Sequence, residues 1–237
     1  MQIVRSTLVS LIAILALASC DQAGQTGKSP AAGEQTASTS IDTTRYISAA
    51  NLLARMQGGG THYVFDVRSE VAFEQSHIRD AAHMPYGKTE PADVAALDGM
   101  TLDTPIVTYC GCPHTLAGLA ADQLIEWGYH EVRVLHEGFW YWRDNQFPLA
   151  GLQQQQTSEL ALAGRVLDGA RPIAHTDVFI RNQRNGQLEA AATDADGRFA
   201  TGFRVYDYRP DDRFTVLVGS LDPGQADLTV NLTHELR

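Results

Sequence analysis

Short apolar segments alternate with segments of helical spacing between residues 45 and 152, and this alternation constrains the fold more than any other feature of the chain. Two of the helical segments begin at serines, Ser48 and Ser69, which are good helix caps. Strands that alternate with helices are joined by crossovers, so they lie side by side in a mainly parallel sheet. The pattern therefore predicts an α/β layer fold. The predicted strands are 63–67, 104–109 and 132–135, and the predicted helices are 48–56, 69–74, 115–127 and 138–144.

The pattern changes at a run of glutamines, and we interpret residues 153–159 as an interdomain linker. Residues 160–237 contain no convincing helix. Their short strand candidates are separated by turn signals such as Asp168-Gly169 and Asn185-Gly186. Strands and turns at regular spacing are typical of a small all-β sandwich. The strand candidates are 160–167, 177–181, 188–193, 198–205, 213–218 and 227–232.

Cys110 lies where the predicted strand 104–109 gives way to the predicted helix 115–127. The first turn of a helix offers unpaired backbone amides and the positive end of the helix dipole, and both favour an anion. Such a position lowers the pKa of a thiol and makes it a nucleophile. Open α/β sheets bind ligands at the carboxyl ends of their strands, where this loop lies. The sequence therefore predicts a reactive cysteine at Cys110.

The N-terminus has the pattern of a secretion signal, with Arg5 followed by the apolar run 8–18. The run ends in Leu17-Ala18-Ser19-Cys20, which closely resembles the lipobox of bacterial lipoproteins. The resemblance implies that residues 1–19 are removed as a signal peptide and that Cys20 is lipidated, which anchors the chain. An ordinary signal peptide that is cut nearby is the alternative.

Residues 20–44 contain almost no large apolar side chain and predict a flexible tether. Asp21 is similar to the inner-membrane retention signal of some lipoproteins, which implies a protein of the bacterial cell envelope on the periplasmic face of the inner membrane. The formal net charge of −10 argues against nucleic acid as a partner and against adhesion to anionic lipid. The N-terminal lipid is therefore the expected contact with the membrane.

Four separated motifs lie between residues 45 and 152. They are Val64-Phe65-Asp66-Val67-Arg68, His77-Ile78 with Ala81-Ala82-His83-Met84-Pro85, Tyr109-Cys110, and Gly138 with Trp142 and Pro148. Together they resemble the motifs of the rhodanese-like domain family. The resemblance implies a rhodanese-like fold and a sulfurtransferase. Its Cys110 thiolate would take sulfur from a small sulfur-containing anion, such as thiosulfate, or from a persulfide, and pass it to a thiol acceptor. The resemblance implies neither a cofactor nor a metal.

Three features depart from the family pattern. Ser76 and Glu137 each stand where the family usually has a glycine, and the loop that begins at Cys110 lacks the arginine or lysine that is common there. The missing cation leaves the substrate open. Related phosphatases and arsenate reductases normally carry an arginine in a longer loop, so the loop favours sulfur over phosphate.

The loop residues after Cys110 are expected to bind substrate, chiefly through backbone amides that point at the sulfur. Gly111 allows a close approach of the backbone, and Pro113 fixes one φ angle. His114 either attracts an anionic donor when protonated or points to solvent. Thr115 is a candidate helix N-cap, with a hydrogen bond to substrate as the alternative. Leu116 completes the set.

Cys112 lies two residues after Cys110 and has two interpretations. As a resolving thiol it would attack the persulfide, release sulfide and close a strained disulfide with Cys110. As a small side chain it would only pack. A metal site made of these two cysteines and His114 would need distortion and a further ligand, so we predict no metal.

Outside the loop, Asp66 and Arg68 follow a buried strand and are expected to tie loops together by charged hydrogen bonds, with a supporting role at the site. His77 and His83 are expected to be structural. The aromatic run 140–142 occupies neighbouring helical positions, so not all three side chains can face inward. We expect one of them to wall the pocket.

The C-terminal strands resemble the carboxypeptidase regulatory-like or prealbumin-like sandwiches through motifs such as Gly164-Arg165-Val166 and Thr193-Asp194-Ala195-Asp196-Gly197. Such modules are usually accessory, and another envelope protein is the partner that this one would hold. The alternative to an enzyme is therefore a non-catalytic binding lipoprotein whose rhodanese-like scaffold only displays a surface.

Overall fold

The computed structural model describes residues 42, 44–59, 63–88, 90–111, 115–152, 156–221 and, for the backbone, 229–236. We call residues 44–152 the N-terminal region and residues 156–236 the C-terminal region. Cys20, the predicted signal peptide and nearly all of the predicted tether lie outside the described residues. Within the described part of the chain, no helix is both long and apolar enough to cross a membrane.

The N-terminal region consists of short strands, four helices among its described residues, and two 3₁₀ turns at Pro91–Asp93 and Ala95–Leu97. The strands are β1 (Tyr46–Ile47), β2 (Tyr63–Asp66), β3 (His77–Ile78), β4 (Ala82–His83), β5 (Ile106–Tyr109), β6 (Val132–Leu135) and β7 (Leu149–Ala150). The helices are α1 (Ala49–Gln57), α2 (Glu70–Gln75), α3 (Thr115–Glu126) and α4 (Gly138–Asp144).

Five strands form a parallel sheet in the order β1-β6-β5-β2-β4, which confirms the predicted α/β fold with a parallel sheet. Every residue of the central strand β5 is buried. Ile106 packs with the α3 side of the sheet, while Val107 and Tyr109 pack with α1 and α4 on the other side. The sheet is therefore covered on both faces, as parallel sheets usually are.

The N-termini of the helices test the capping residues that the sequence predicts. Ser48 caps α1, since its Oγ accepts a hydrogen bond from the Asn51 backbone N–H at 3.2 Å. Ser69 is the N-cap residue of α2, as predicted, although its hydroxyl makes no cap hydrogen bond. Thr115 is the first residue of α3, where the predicted helix 115–127 also begins, rather than the cap before it. Strand β5 starts after Pro105, which has no N–H to donate to a neighbouring strand.

The C-terminal region consists of antiparallel strands. They are β8 (Thr157–Asp168), β9 (Arg171–Pro172), β10 (Asp177–Asn182), β11 (Leu188–Ala192), β12 (Arg198–Tyr206), β13 (Phe214–Val218) and β14 (Thr229–Leu236). One sheet has the order β11-β10-β13, and the other has the order β12-β8-β14 with β9 beside β8. The predicted linker is too long, because residues 157–159 already belong to β8, where Thr157 pairs with Tyr206.

The two regions share apolar clusters, which the sequence patterns do not reveal. Phe179, Ala190 and Leu217 of the C-terminal region pack in the same cluster as Cys110 and the buried side of α3. Tyr206 belongs to the cluster on the other face of the parallel sheet. The C-terminal strands therefore lie directly against the predicted catalytic loop.

Two further contacts join the regions, a ring stack and an ion pair. The Tyr86 and Phe179 rings stack with centroids 5.7 Å apart. Arg204 of β12 forms an ion pair with Asp144 at the end of α4, with Nη1 3.1 Å from Oδ2. The interface thus combines apolar packing with an ion pair across it.

Candidate active site

Cys110 directly follows β5, at the carboxyl end of the central strand, and the described chain resumes at the first residue of α3. The start of α4 fixes the backbone here. The Phe139 N–H donates to the Cys110 carbonyl at 2.8 Å, and the Trp140 N–H donates to the Gly111 carbonyl at 3.3 Å. Since these N–H groups belong to the first turn of α4, they have no partner within their own helix and are free to hold the loop.

The Cys110 thiol is 2% exposed, and its environment opposes ionisation. Burial, and then the negative charge of Glu189, raise its pKa to about 12. The Ala117 backbone N–H of α3 and the Arg68 guanidinium act in the opposite direction, with smaller effects. The amide in the first turn of α3 therefore lowers this pKa, as expected, but burial and the Glu189 carboxylate raise it more, so the net shift is upward.

Gly111 lies where two large side chains meet the loop. A Cβ atom at this position would be 2.8 Å from the Trp140 Nε1 atom and 3.6 Å from the Glu189 Oε2 atom. The first distance is too short for any ordinary contact, so only glycine fits here without displacing the indole. Trp140 and Trp142 are buried while Tyr141 is exposed, and it is Trp140 that lies against the loop.

Asp66 and Arg68 form a buried ion pair beneath the loop. The Asp66 carboxylate accepts hydrogen bonds from the Arg68 backbone N–H at 3.0 Å, from Arg68 Nε at 2.9 Å and from Arg68 Nη2 at 2.6 Å. Burial opposes the charge of Arg68, but the Asp66 carboxylate raises the pKa of the guanidinium, which stays cationic. The guanidinium also lies over the Phe139 ring, 3.7 Å from its centroid.

Tyr109 connects this ion pair to the residue before the catalytic cysteine. Its hydroxyl donates to Asp66 Oδ2 at 2.8 Å and accepts from the Ile78 backbone N–H at 3.0 Å. Arg68 Nη2 donates to the Ser76 carbonyl at 2.6 Å. The network therefore ties three segments to the end of β5.

Two of the three departures from the family pattern, Ser76 and Glu137, take part in hydrogen bonds of the fold. The backbone carbonyl of Ser76 is one of the acceptors of Arg68. The Glu137 carboxylate accepts a hydrogen bond from the Ala49 N–H at 2.8 Å, at the start of α1 where a negative charge is favourable. Neither side chain points to a change of chemistry.

The two histidines near the network are held by backbone groups. His77 Nδ1 is 2.7 Å from the Phe73 carbonyl, and His83 Nε2 is 2.9 Å from the Arg68 carbonyl. Both rings stack on the Phe73 ring. Among the residues that the structure describes, no group of three or more histidine, cysteine, aspartate or glutamate side chains is placed to hold a metal ion.

Several predicted loop residues can be placed only in part. Leu116 is buried in the cluster that contains Cys110, and Thr115 is half-buried at the start of α3. Cys112, Pro113 and His114 lie outside the described residues, so their predicted roles remain predictions.

Sequence reasoning missed two residues of this site, Glu189 and Tyr206, both from the C-terminal region. Glu189 is 6% exposed and lies beside Gly111. The Tyr206 ring is near Trp140, with centroids 5.9 Å apart. Burial raises the pKa of the Tyr206 hydroxyl, and the Arg68 cation offsets only part of that rise. The sequence signal for Glu189 was its place inside the apolar strand candidate 188–193, because a carboxylate is rarely buried without a partner.

The match to one family model supports the motif analysis. Residues 48–145 match the family model described as a rhodanese-like domain. A solved structure of a Bacillus halodurans protein is 26% identical over 47% of this chain and 80% of its own, with a TM-score of 0.43. A thiosulfate sulfurtransferase from Pseudomonas aeruginosa is 27% identical over 45% of this chain and 20% of its own, with a TM-score of 0.40. A Lactobacillus plantarum protein is 25% identical over 46% of this chain and 90% of its own, with a TM-score of 0.38.

Proposed function

We propose that this chain, whose residues 48–145 form a rhodanese-like domain, is a sulfurtransferase that carries sulfur on Cys110. The observation that carries the proposal is the place of Cys110. It lies at the carboxyl end of the central parallel strand, with the Ala117 N–H of α3 at its sulfur and the Arg68 cation near it. We further propose that Cys20 carries a lipid that anchors the protein in the bacterial cell envelope, at the periplasmic face of the inner membrane.

The proposed reaction has two displacements at the outer sulfur. The Cys110 thiolate attacks the outer sulfur of a donor such as thiosulfate, the sulfur–sulfur bond of the donor breaks, and sulfite leaves with the electron pair. A thiol acceptor, as thiolate, then attacks the outer sulfur of the Cys110 persulfide. The bond between the two sulfurs of the persulfide breaks, which regenerates the Cys110 thiolate.

The chain contributes charge stabilisation and positioning to these steps. The Ala117 N–H is directed at the Cys110 sulfur, which carries the negative charge as a thiolate before the first displacement and after the second. Asp66, Arg68 and Tyr109 hold the end of β5, and Phe139 and Trp140 hold the carbonyls of the loop. The reacting sulfur is thereby placed by groups that do not themselves react.

Burial sets the main barrier to the proposed reaction. Since the thiol is 2% exposed and its pKa is raised to about 12, the resting form is the neutral thiol. A donor reaches the sulfur only when the strands that cover it move, and Cys110 must lose its proton before it attacks. We therefore expect turnover to increase with pH well above neutrality.

Intact-mass spectrometry of the full chain after treatment with thiosulfate tests the proposal. We expect a mass gain of one sulfur atom in the wild type and none in Cys110→Ser. The matched control is Cys112→Ser, which keeps the proposed nucleophile. A longer persulfide lifetime in Cys112→Ser would support the resolving role of Cys112, and an unchanged lifetime would exclude it.

One observation favours a second candidate function, a non-catalytic binding module of the envelope. The C-terminal strands cover the cysteine, as they would if the rhodanese-like domain only formed a surface with them. This function predicts no sulfur gain at Cys110 with thiosulfate or with any persulfide, and no sulfur transfer to thiol acceptors or to cyanide. Sulfur bound to Cys110 would exclude it.

A further inference from the structure

Two side chains of β12 contact Trp140 from the C-terminal region. Arg204 and Tyr206 lie on one face of the strand, because alternate residues of a strand share a face. The Arg204 Cζ atom lies 5.2 Å from the centroid of the Trp140 ring, and the Tyr206 and Trp140 ring centroids are 5.9 Å apart. Arg204 Nη1 is also 3.1 Å from Oδ2 of Asp144, the last residue of α4. Ring contacts and an ion pair therefore hold β12 against α4.

Trp140 also contacts the catalytic loop. Its backbone N–H donates to the Gly111 carbonyl at 3.3 Å, and its Nε1 atom would be 2.8 Å from a Cβ atom on Gly111. The neighbouring Phe139 N–H donates to the Cys110 carbonyl at 2.8 Å. The side chains of β12 therefore contact the same residue that holds the loop.

The C-terminal region also covers the Cys110 sulfur from the side of α3. Phe179, Ala190 and Leu217 pack in the apolar cluster of Cys110, which is 2% exposed. The two sheets of the region share another apolar cluster, which includes Leu160, Val178 and Phe203. Because this core joins the two sheets, we expect the contact with α4 and the cover over Cys110 to open together.

We propose that the C-terminal region is an autoinhibitory cover of Cys110, held closed by a latch that consists of Arg204 and Tyr206 of β12 with Trp140 and Asp144 of α4. In the closed state the buried thiol meets no reagent. When the latch separates, β12 leaves α4 and the thiol becomes accessible. The cover itself goes beyond the proposed function, because any thiol reagent reports on it. Only its effect on sulfur loading rests on that function.

The rate of Cys110 alkylation by iodoacetamide measures how often the cover opens, because a buried thiol reacts only from the open state. The reagent is neutral, so its rate does not depend on electrostatic attraction to the site. The experiment uses the full chain with Cys112→Ser at one fixed pH, and peptide mass spectrometry follows Cys110 itself.

Arg204→Gln removes the cation of the latch where the side chain is only partly buried, so the variant should fold. We expect it to raise the alkylation rate by roughly three- to tenfold, the effect of losing an exposed ion pair together with a cation–π contact. Asp144→Asn removes the other charge of the ion pair and should raise the rate as well.

The matched control is Arg45→Gln. Arg45 Nη1 is 2.6 Å from Asp122 Oδ1 within the N-terminal region, and the two side chains are 28% and 55% exposed, against 22% and 48% for Arg204 and Asp144. The control thus loses an ion pair of similar exposure that does not join the two regions, and its alkylation rate should be unchanged. It also reports a general loss of stability, because global unfolding would expose Cys110 in it as well.

The outcomes separate the latch from the proposed function. Faster alkylation in Arg204→Gln and Asp144→Asn, with an unchanged rate in Arg45→Gln, supports the latch. An unchanged rate in both latch variants overturns it, and so does an equal rise in Arg45→Gln. No sulfur on Cys110 after thiosulfate treatment of any of these proteins overturns the proposed function, while the alkylation rates still decide the latch.

Discussion

Replacing Tyr109 by phenylalanine removes one hydroxyl group from the centre of the network below Cys110. The hydroxyl donates to Asp66 at 2.8 Å and accepts from the Ile78 N–H at 3.0 Å, and Tyr109 is fully buried. No water can replace the lost partner without a rearrangement of the packing around it. Two buried polar groups would thus lose a hydrogen bond at once, which makes this variant a strong test of the network.

The expected loss of stability follows from the hydrogen bonds that Asp66 and the Ile78 N–H keep in the variant. Asp66 still accepts from the backbone N–H, Nε and Nη2 of Arg68, so its loss is at the low end of the range for a charged acceptor, about 1.5 kcal/mol. The Ile78 N–H loses the hydroxyl as its acceptor in a buried position, which costs about 1.5 kcal/mol. We therefore expect Tyr109→Phe to lower the free energy of unfolding by about 3 kcal/mol.

Urea unfolding of the full chain, followed by tryptophan fluorescence, measures this effect. With a denaturant slope of about 2 kcal/mol per M, the midpoint should fall by roughly 1.5 M. The matched control is Tyr63→Phe, on the neighbouring strand, where the side chain is 45% exposed and the change should stay within about 0.5 kcal/mol. A midpoint shift in Tyr109→Phe no larger than in this control would refute the reasoning.

Burial, and then the Glu189 carboxylate, raise the pKa of Cys110 from 9.0 to about 12. The rate at which this thiol is alkylated, measured in a variant without the second loop cysteine, should therefore keep rising up to about pH 12. A plateau of that rate near pH 9 would contradict the expectation. Because the folded-state pKa is the higher one, the neutral thiol stabilises the fold fully below pH 9.0, and this stability relative to Cys110→Ser should be lost between pH 9.0 and about 12. Gly111→Ala places a Cβ atom 2.8 Å from the Trp140 indole nitrogen and should destabilise the protein by about 1–3 kcal/mol in the same unfolding assay. The control, Gly118→Ala, meets only ordinary contacts inside α3 and should stabilise the protein by about 0.5–1 kcal/mol. Mass spectrometry of the protein from its native host should show a lipid on Cys20, and an unmodified Cys20 would exclude the lipid anchor.

Periodicity allowed the four helices and the three longer strands of the N-terminal region to be predicted in order, whereas the two-residue strands β1, β3, β4 and β7 were not predicted. The predicted helix 138–144 is α4, the predicted strand 132–135 is β6, and the C-terminal strand candidates overlap the observed strands. These signals are local, because side chains three or four apart share one face of a helix and alternate side chains share one face of a strand. Cap hydrogen bonds were less certain, as Ser69 shows, because the hydroxyl of a capping residue has other orientations open to it.

The sequence allowed the cysteine of the candidate site to be predicted but not its pKa. Cys110 could be identified because a cysteine between a buried strand and a helix is a local feature of the chain. Its pKa could not, because the two effects that decide it, burial and Glu189, arise from residues far away in the sequence. A local pattern has no information about which surface a later domain covers.

The sequence by itself determined the parallel sheet, the position of the cysteine at the end of its central strand and the glycine beside it, since each depends on neighbouring residues. Only the tertiary structure decided that the C-terminal strands lie over this cysteine and that Glu189 adds a negative charge there. The physical reason is that burial and electrostatic interaction depend on distance in space. Cys110 and Glu189 are 79 positions apart in the chain, and packing brings them together.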